Sequence, residues 1–411
     1  MTQFNSLKDI DALLEANEVY RKKSLNLIAS ENIASPVVRK YHDTELIDRY
    51  GCYTTGDMED REYTGNKYIH ELEAATHELV KELFHAEYVD LRPLGGHMAG
   101  LATMLAVTPP GGLILEYHLK DWGHGMMGPT CENIPHFDKT LSIDYFEFDN
   151  NLQLKLDDLE RKLDENDVSC VVLGSSGLLF PEPVREAKEL CKRKNIPLIA
   201  DASHVSGLIA GGVYPNPLDE GADIMFLSTH KSFPGPQGGM VLSNNKEYIE
   251  RVGNILAPGM VTSHHVYRLP ALAAALLEMK AVGKDYSQMV VRNAQALAAA
   301  LDKRGIPCIA KEKGFTQSHL LLADISQFGA SRDIAMRLEK ANIFVSDDFG
   351  AAGSQIRLGT PEATRRGMKP EDMDMAAACI AKLLVDNDTP ENVACDVEKL
   401  AARFSGCAYT L

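Results

Sequence analysis

The chain has 411 residues, 45% of them hydrophobic, and a formal net charge of -16. That length allows two or three domains with a large core, and the acidic balance argues against nucleic acid or an anionic membrane surface as a partner. The eight cysteines show no C-x-x-C pair and no metal-type spacing, so reduced thiols, no metal site and a cytoplasmic location are expected.

Residues 6–24 read as an amphipathic helix in an N-terminal arm (1–25), without the apolar segment of a secretory signal. No apolar run reaches membrane-spanning length. A block from 26 to 275 then alternates strands and helices. Tyr88–Leu94 reads as a strand, running through Gly95-Gly96-His97 into a helix at Met98–Ala106. Further strands are expected at 113–115, 170–173, 197–200, 224–227 and 240–242, with a helix at 184–194. Short, continuously apolar strands separated by helices predict an α/β fold with a mainly parallel sheet covered on both faces. From 276 to 411 the pattern changes. Helices at 287–304, 331–340 and 371–385 and strands at 319–323, 343–345 and 356–358 predict a smaller α+β domain.

The densest chemistry lies at Ser228-Thr229-His230-Lys231-Ser232-Phe233-Pro234-Gly235-Pro236-Gln237-Gly238-Gly239, a turn between two apolar strands. Lys231 is placed there as the amine of a Schiff base to pyridoxal phosphate. About 30 residues earlier, Asp201-Ala202-Ser203-His204 ends another strand. A carboxylate there can keep the pyridine nitrogen protonated by pairing with its charge, which makes the ring a better electron sink. Taken alone, Lys231 would read as a loop lysine and Asp201 as a helix cap. Their ordered occurrence at strand ends favours the cofactor reading.

These motifs resemble the serine hydroxymethyltransferase family of fold-type I pyridoxal-phosphate enzymes. The resemblance runs from Leu27-Ile28-Ala29-Ser30-Glu31-Asn32 to Ile356-Arg357-Leu358-Gly359-Thr360-Pro361 and Thr364-Arg365-Arg366-Gly367. It implies a seven-stranded, mainly parallel sheet in the large domain. It also implies that Asp201 meets the pyridine nitrogen, His204 the phenolic oxygen, and His124 the ring face, with His230 and Ser176 nearby. Ser30 and Arg357 would hold the substrate carboxylate, a task for which the arginine fork is suited. His124, His204, Tyr53 and Thr229 are the candidate proton handlers, and Tyr53 and Tyr63 are kept from the family's substrate site. Gly95-Gly96-His97 opens a helix and would bind the phosphate. The family's hydroxyl residues are missing there; Thr262-Ser263, where the family has glycines reaching a neighbouring subunit, could replace them. A homodimer with shared sites follows, with a tetramer as a further possibility. Ser30 reads equally as a turn cap, Ser176 as a backbone-bonding serine, and Arg357 also as half of a structural ion pair. The pair His264-His265 reads as structural or interfacial.

Two departures bear on function. Tyr53-Thr54-Thr55-Gly56 carries Thr55 where the family has glutamate, and Glu62 replaces a tyrosine that helps to bind folate. A threonine hydroxyl cannot replace a carboxylate in proton transfer near neutral pH. The connection Ser346–Gln355 is also shorter than the family's folate-touching loop. The expected enzyme therefore acts on an amino acid and an aldehyde, as aldolase, transaldolase or hydroxymethyltransferase, without the usual tetrahydrofolate site. The alternatives are a same-fold racemase or aminotransferase acting on Cα–H, the ordinary folate-dependent hydroxymethyltransferase, or a non-catalytic binding protein.

Overall fold

A computed structural model describes residues 4–53, 57–124, 126–134, 141–347 and 353–411. Its strands are β1 (Leu25–Asn26), β2 (Tyr88–Asp90), β3 (Gly112–Glu116), β4 (Leu141–Tyr145), β5 (Val168–Leu173), β6 (Leu198–Asp201), β7 (Ile224–Ser228), β8 (Gly239–Ser243), β9 (Leu320–Asp324), β10 (Ile343–Phe344) and β11 (Gln355–Gly359). The central sheet has seven strands in the order β2-β8-β7-β6-β5-β3-β4. Strand β8 pairs antiparallel with both β2 and β7, and the other pairings are parallel. The expected mainly parallel α/β sheet is therefore what forms.

Local sequence explains the layers. Every residue of β7, Ile-Met-Phe-Leu-Ser, is buried, as a strand covered on both faces must be. Phe226 and Leu227 are fully buried, each contributing about 1.5–3 kcal/mol by leaving water. The helix Val184–Arg193 buries Val184, Ala187 and Cys191, one stripe at helical spacing. The helix Gly96–Val107 is apolar on nearly all sides, and it lies between β7, β8 and the helix Lys246–Asn254. The strand expected at 88–94 stops at Asp90, and the remaining residues lead into the Gly95 turn.

The boundary expected after residue 275 falls inside one continuous helix, Leu269–Lys303. At about 1.5 Å per residue that helix reaches from the central sheet into the C-terminal layer. There it packs on β9 and on the helix Pro370–Leu384. β1 pairs with β10, and Leu25 and Leu27 join the C-terminal core, so the segment after the first helix belongs with that layer. β9 and β11 pair antiparallel, with Arg357 opposite Leu322. The first helix, Leu7–Lys22, buries none of its residues. Among the described residues, no helix is long and apolar enough to cross a membrane.

Candidate active site

The sheet's carboxyl edge carries the site, as expected where strands of an open α/β sheet end. Asp201 closes β6, and Ser228 closes β7 three residues before Lys231. Gly174, just past β5, has φ +124°, and a Cβ there would sit 2.4 Å from the Asp201 carbonyl oxygen. Only glycine suits that position. The lysine turn is closed by Thr229, whose amide donates to Gly238 and whose hydroxyl donates to the Pro236 carbonyl at 2.5 Å. Ser232 Oγ donates to the His204 carbonyl at 2.6 Å. Asn32 donates to the Lys231 carbonyl at 2.9 Å, tying the N-terminal loop to the lysine turn.

A cavity of about 1120 Å³ opens above these strand ends. Ser30, His124, Ser176, Asp201, His204, His230, Lys231 and Arg357 all line it. His124 Nδ1 lies 2.7 Å from Asp201 Oδ2, whose side chain is 7% exposed. Burial opposes ionisation of Asp201, but His124 and Lys231 more than offset it, and its carboxyl stays below the usual range. Burial pushes the Lys231 amine down to about 8; Asp201 opposes that shift and Arg357 adds to it. Arg357, 2% exposed, donates to the Ser176 carbonyl at 2.7 Å and lies 5.6 Å over the Trp122 ring. Burial holds its guanidinium down to about 10. His230 is held at about 4 by burial and by Lys231.

Other expected site residues do not line this cavity in the single chain. Gly95 is the residue before the helix Gly96–Val107, whose N-terminus has no side-chain cap. His97 sits 5.7 Å from the His124 ring, measured between ring centroids. Thr229 is fully buried, and its hydroxyl donates to the Pro236 carbonyl, which closes the lysine turn. Tyr53 is buried, and its hydroxyl donates to Glu73 at 3.1 Å, away from the cavity of its own chain. Tyr63 is exposed and packs on Tyr50. Thr262 and Ser263 follow the turn Ile255–Met260, and the Thr262 carbonyl contacts the Cys52 thiol. His264 bonds Glu73 while His265 stacks on Tyr267, so the adjacent histidines have separate partners. Thr55 lies outside the described residues, and Glu62 is exposed.

Three contributors escaped the sequence reading. Trp122, the chain's single tryptophan, supports Arg357 and donates to Gln355 at 3.1 Å. Asn32 anchors the lysine turn. His319 touches His204, with Nε2 at 3.2 Å from His204 Nδ1. Asn32 lies within the motif Leu27–Asn32, and Trp122 stands two residues before His124. His319 heads a strand and gave no signal beyond its type.

The arrangement fits pyridoxal phosphate. Lys231 forms no ion pair among the described residues and reaches the cavity. His230 Nδ1 is buried with no hydrogen-bond partner among them. An uncapped helix N-terminus stands ready for an anion. Lysine and aspartate at neighbouring strand ends of this sheet define a fold-type I, pyridoxal-phosphate-dependent enzyme.

Comparison with known proteins agrees. The family model for serine hydroxymethyltransferase matches residues 5–380. A serine hydroxymethyltransferase of Korarchaeum cryptofilum is 40% identical, covering 94% of this chain and 92% of its own length. That of Methanopyrus kandleri is 38% identical, over 98% of this chain and 95% of its own. Among solved structures, L-threonine transaldolase from Pseudomonas fluorescens, in its internal aldimine state, superposes with a TM-score of 0.91 at 28% identity. That match covers 98% of this chain and 92% of the other. The chain belongs to the serine hydroxymethyltransferase family. Family and neighbour together support Cα–Cβ cleavage chemistry.

Proposed function

We propose that this enzyme makes or breaks the Cα–Cβ bond of a β-hydroxy-α-amino acid without the ordinary folate site. Aldol cleavage, transaldolation and hydroxymethyl transfer share that step and differ in what the glycine-like fragment receives. The carrying observation is one cavity lined by Lys231, Asp201 and Arg357. Lys231 would hold the cofactor's aldehyde carbon, Asp201 its ring nitrogen, and the turn at Gly95-Gly96-His97 its phosphate. When bound, pyridoxal phosphate supplies an electron sink for the bond standing perpendicular to its ring.

The protein's part is to choose that bond. Arg357, fixed by the Ser176 carbonyl and the Trp122 ring, presents a rigid fork for the substrate carboxylate. Ser30 adds a hydroxyl from the facing loop. With the carboxylate gripped, rotation about the bond from Cα to nitrogen is lost, and the side chain is turned toward the cleaving position. Lys231, held at about 8, has a useful neutral fraction near physiological pH, as a nucleophile and proton carrier requires. His124, on Asp201, would lie over the ring.

Folate independence rests on Thr55, Glu62 and the short connection Ser346–Gln355. Tyr53, Tyr63, Thr262 and Ser263 would complete the cavity of a second copy in a homodimer. The contact between Cys52 and Thr262 gathers this edge on one side of the chain. The test is incubation with threonine, phenylserine and serine, with and without tetrahydrofolate. Aldehyde release without folate is expected. Strict dependence on tetrahydrofolate, or deuterium exchange at Cα with no cleavage, would overturn the reading.

A further inference from the structure

We propose that Thr410 is a positioning residue for substrate binding: its hydroxyl completes the buried joint at Glu278 through which Ser30 and Arg357 are held in register with Lys231. This deepens the reading above and rests on Ser30 and Arg357 as the ligands of the substrate carboxylate.

Glu278, on the helix Leu269–Lys303, is fully buried and meets three segments far from it in sequence. Its Oε1 accepts from Ser35 Oγ at 2.6 Å and from Thr410 Oγ1 at 2.5 Å, and its Oε2 accepts from Arg365 Nη2 at 3.1 Å. A carboxylate out of reach of water depends on such donors, and removing one leaves its desolvation uncompensated. Two of the donors end segments that carry substrate ligands. Ser35 caps the short helix Pro36–Lys40 through the Val38 amide at 3.1 Å, and the loop it terminates contains Ser30 and Asn32. Arg365 ends the helix Pro361–Arg365, which follows directly on β11 and Arg357.

The same long helix meets the lysine turn. Tyr286, about two turns beyond Glu278, donates to the Ser232 carbonyl at 2.9 Å and accepts from Asn32 at 2.8 Å. The Arg365 guanidinium lies 5.8 Å over its ring. Thr360 Oγ1 donates to the Val290 carbonyl at 2.8 Å, and Asn293 donates to Thr364 Oγ1 at 2.9 Å. One helix therefore registers the Ser30 loop, the Arg357 strand and the Lys231 turn against one another. Glu278 is where the first two are joined.

The strap Ala408–Thr410 closes that joint. The Ala408 amide donates to the Arg365 carbonyl at 2.6 Å, and the Arg365 guanidinium donates to the Tyr409 carbonyl. Tyr409 has φ +57°, a left-handed conformation that is costly for a bulky residue and persists only where its surroundings fix it. Its ring packs on Tyr286, with centroids 5.8 Å apart. Without the Thr410 hydroxyl, the strap keeps Arg365 but releases Glu278, and Ser35 is the one hydroxyl left on Oε1 among the described residues. Play at Glu278 then enters both halves of the carboxylate site. Asp201 and Lys231, at strand ends of the central sheet, lie outside the joint.

The test separates substrate from cofactor. Enzyme loaded with pyridoxal phosphate is titrated with glycine, and the change in the cofactor absorption band gives the amino-acid affinity. Cofactor affinity is measured by titrating the stripped protein. Thr410→Val, close to isosteric, should weaken glycine binding about fivefold, at the low end of coupling between distinct sites, and leave cofactor affinity unmoved. Thr410→Ser restores the donor and should return glycine affinity to the wild-type value. In the cofactor-free protein, amide hydrogen exchange across residues 28–34 should quicken in Thr410→Val and not in Thr410→Ser. Unchanged glycine affinity in Thr410→Val, an equal loss in Thr410→Ser, or a parallel loss of cofactor affinity overturns the inference. Arg357→Lys keeps the two readings apart. If it abolishes glycine binding while Thr410→Val leaves it intact, the inference alone falls. If Arg357→Lys leaves glycine binding intact, the carboxylate site falls and the inference with it.

Discussion

Two buried charge clusters in this molecule obey opposite rules. In the first, Glu73 is fully buried, and it accepts from Arg61 at 2.7 Å, Tyr53 at 3.1 Å and His264 at 3.0 Å. Arg92 pairs with Asp90 at 2.6 Å beside it, and both arginines lie over the Tyr53 ring. Burial alone would push the Glu73 carboxyl up, yet His264 and Arg61 bring it down to about 2. In the second cluster, Lys231 and Arg357 are pushed down, to about 8 and about 10, by the same desolvation. There Asp201 opposes the shift of Lys231 and Asp347 that of Arg357, and burial outweighs both. A charge whose complement lies inside the chain builds structure. A cation that burial weakens at the wall of an open cavity is what the proposed cofactor and carboxylate roles would use.

The comparison breaks first at Lys231. Lys231→Ala should abolish turnover and remove the visible band of the bound cofactor, both read in one spectrophotometer cell. Unchanged colour and rate would leave the second cluster without a function. The next effect is on stability. Glu73→Gln leaves Arg61 buried opposite a neutral amide, and losing one partner of a buried pair costs about 3–5 kcal/mol. Urea unfolding of the cofactor-free protein measures it. A loss below about 1 kcal/mol would mean that the first cluster is a set of neighbours and not a structural unit.

Much of this was legible in the sequence because the relevant signals are local. Apolar runs such as Ile224–Leu227 and the Gly/Pro-rich turn after them fix where a strand stops and a lysine begins. Asp201 and His204 were legible for the same reason. The helix Leu269–Lys303 was not, since its first part reads as an apolar stretch with Pro270 near its start and its second as a separate amphipathic helix. The helix Lys67–Phe84, which carries Glu73, passed unread as well, and burial of a glutamate cannot be inferred from its type. His319 is the clearest case. Its ring meets a neighbour 115 positions away in sequence, and only the fold brings the two together. The hydrogen bond of Thr229 was not legible either, because a hydroxyl in such a turn reads equally as a backbone partner or as a proton handler.

The smallest expected effect is a pH dependence that separates the clusters by sign. Below pH 8 Lys231 is protonated in both folded and unfolded chains, so it adds no slope. Between about 8 and its ordinary value of 10.5, the folded protein has lost that proton and the unfolded chain still holds it. The unfolded state then binds more protons, and stability rises with pH. The full shift corresponds to about 3 kcal/mol. Because the side chain is partly exposed to the cavity, about 2 kcal/mol is the expected size. Buried Tyr117 and Tyr214 oppose it, since their hydroxyls are raised well above 10 and the unfolded chain releases those protons first. The quantity to measure is therefore the difference in urea-unfolding free energy between cofactor-free wild type and Lys231→Met. That difference should move in favour of the wild type across this window, and a flat difference would place Lys231 in a solvated, unperturbed setting. Glu73 acts at the other end of the scale. Its stabilisation is complete above 4.5 and is lost as pH falls through about 2, as a carboxylate satisfied inside the chain requires.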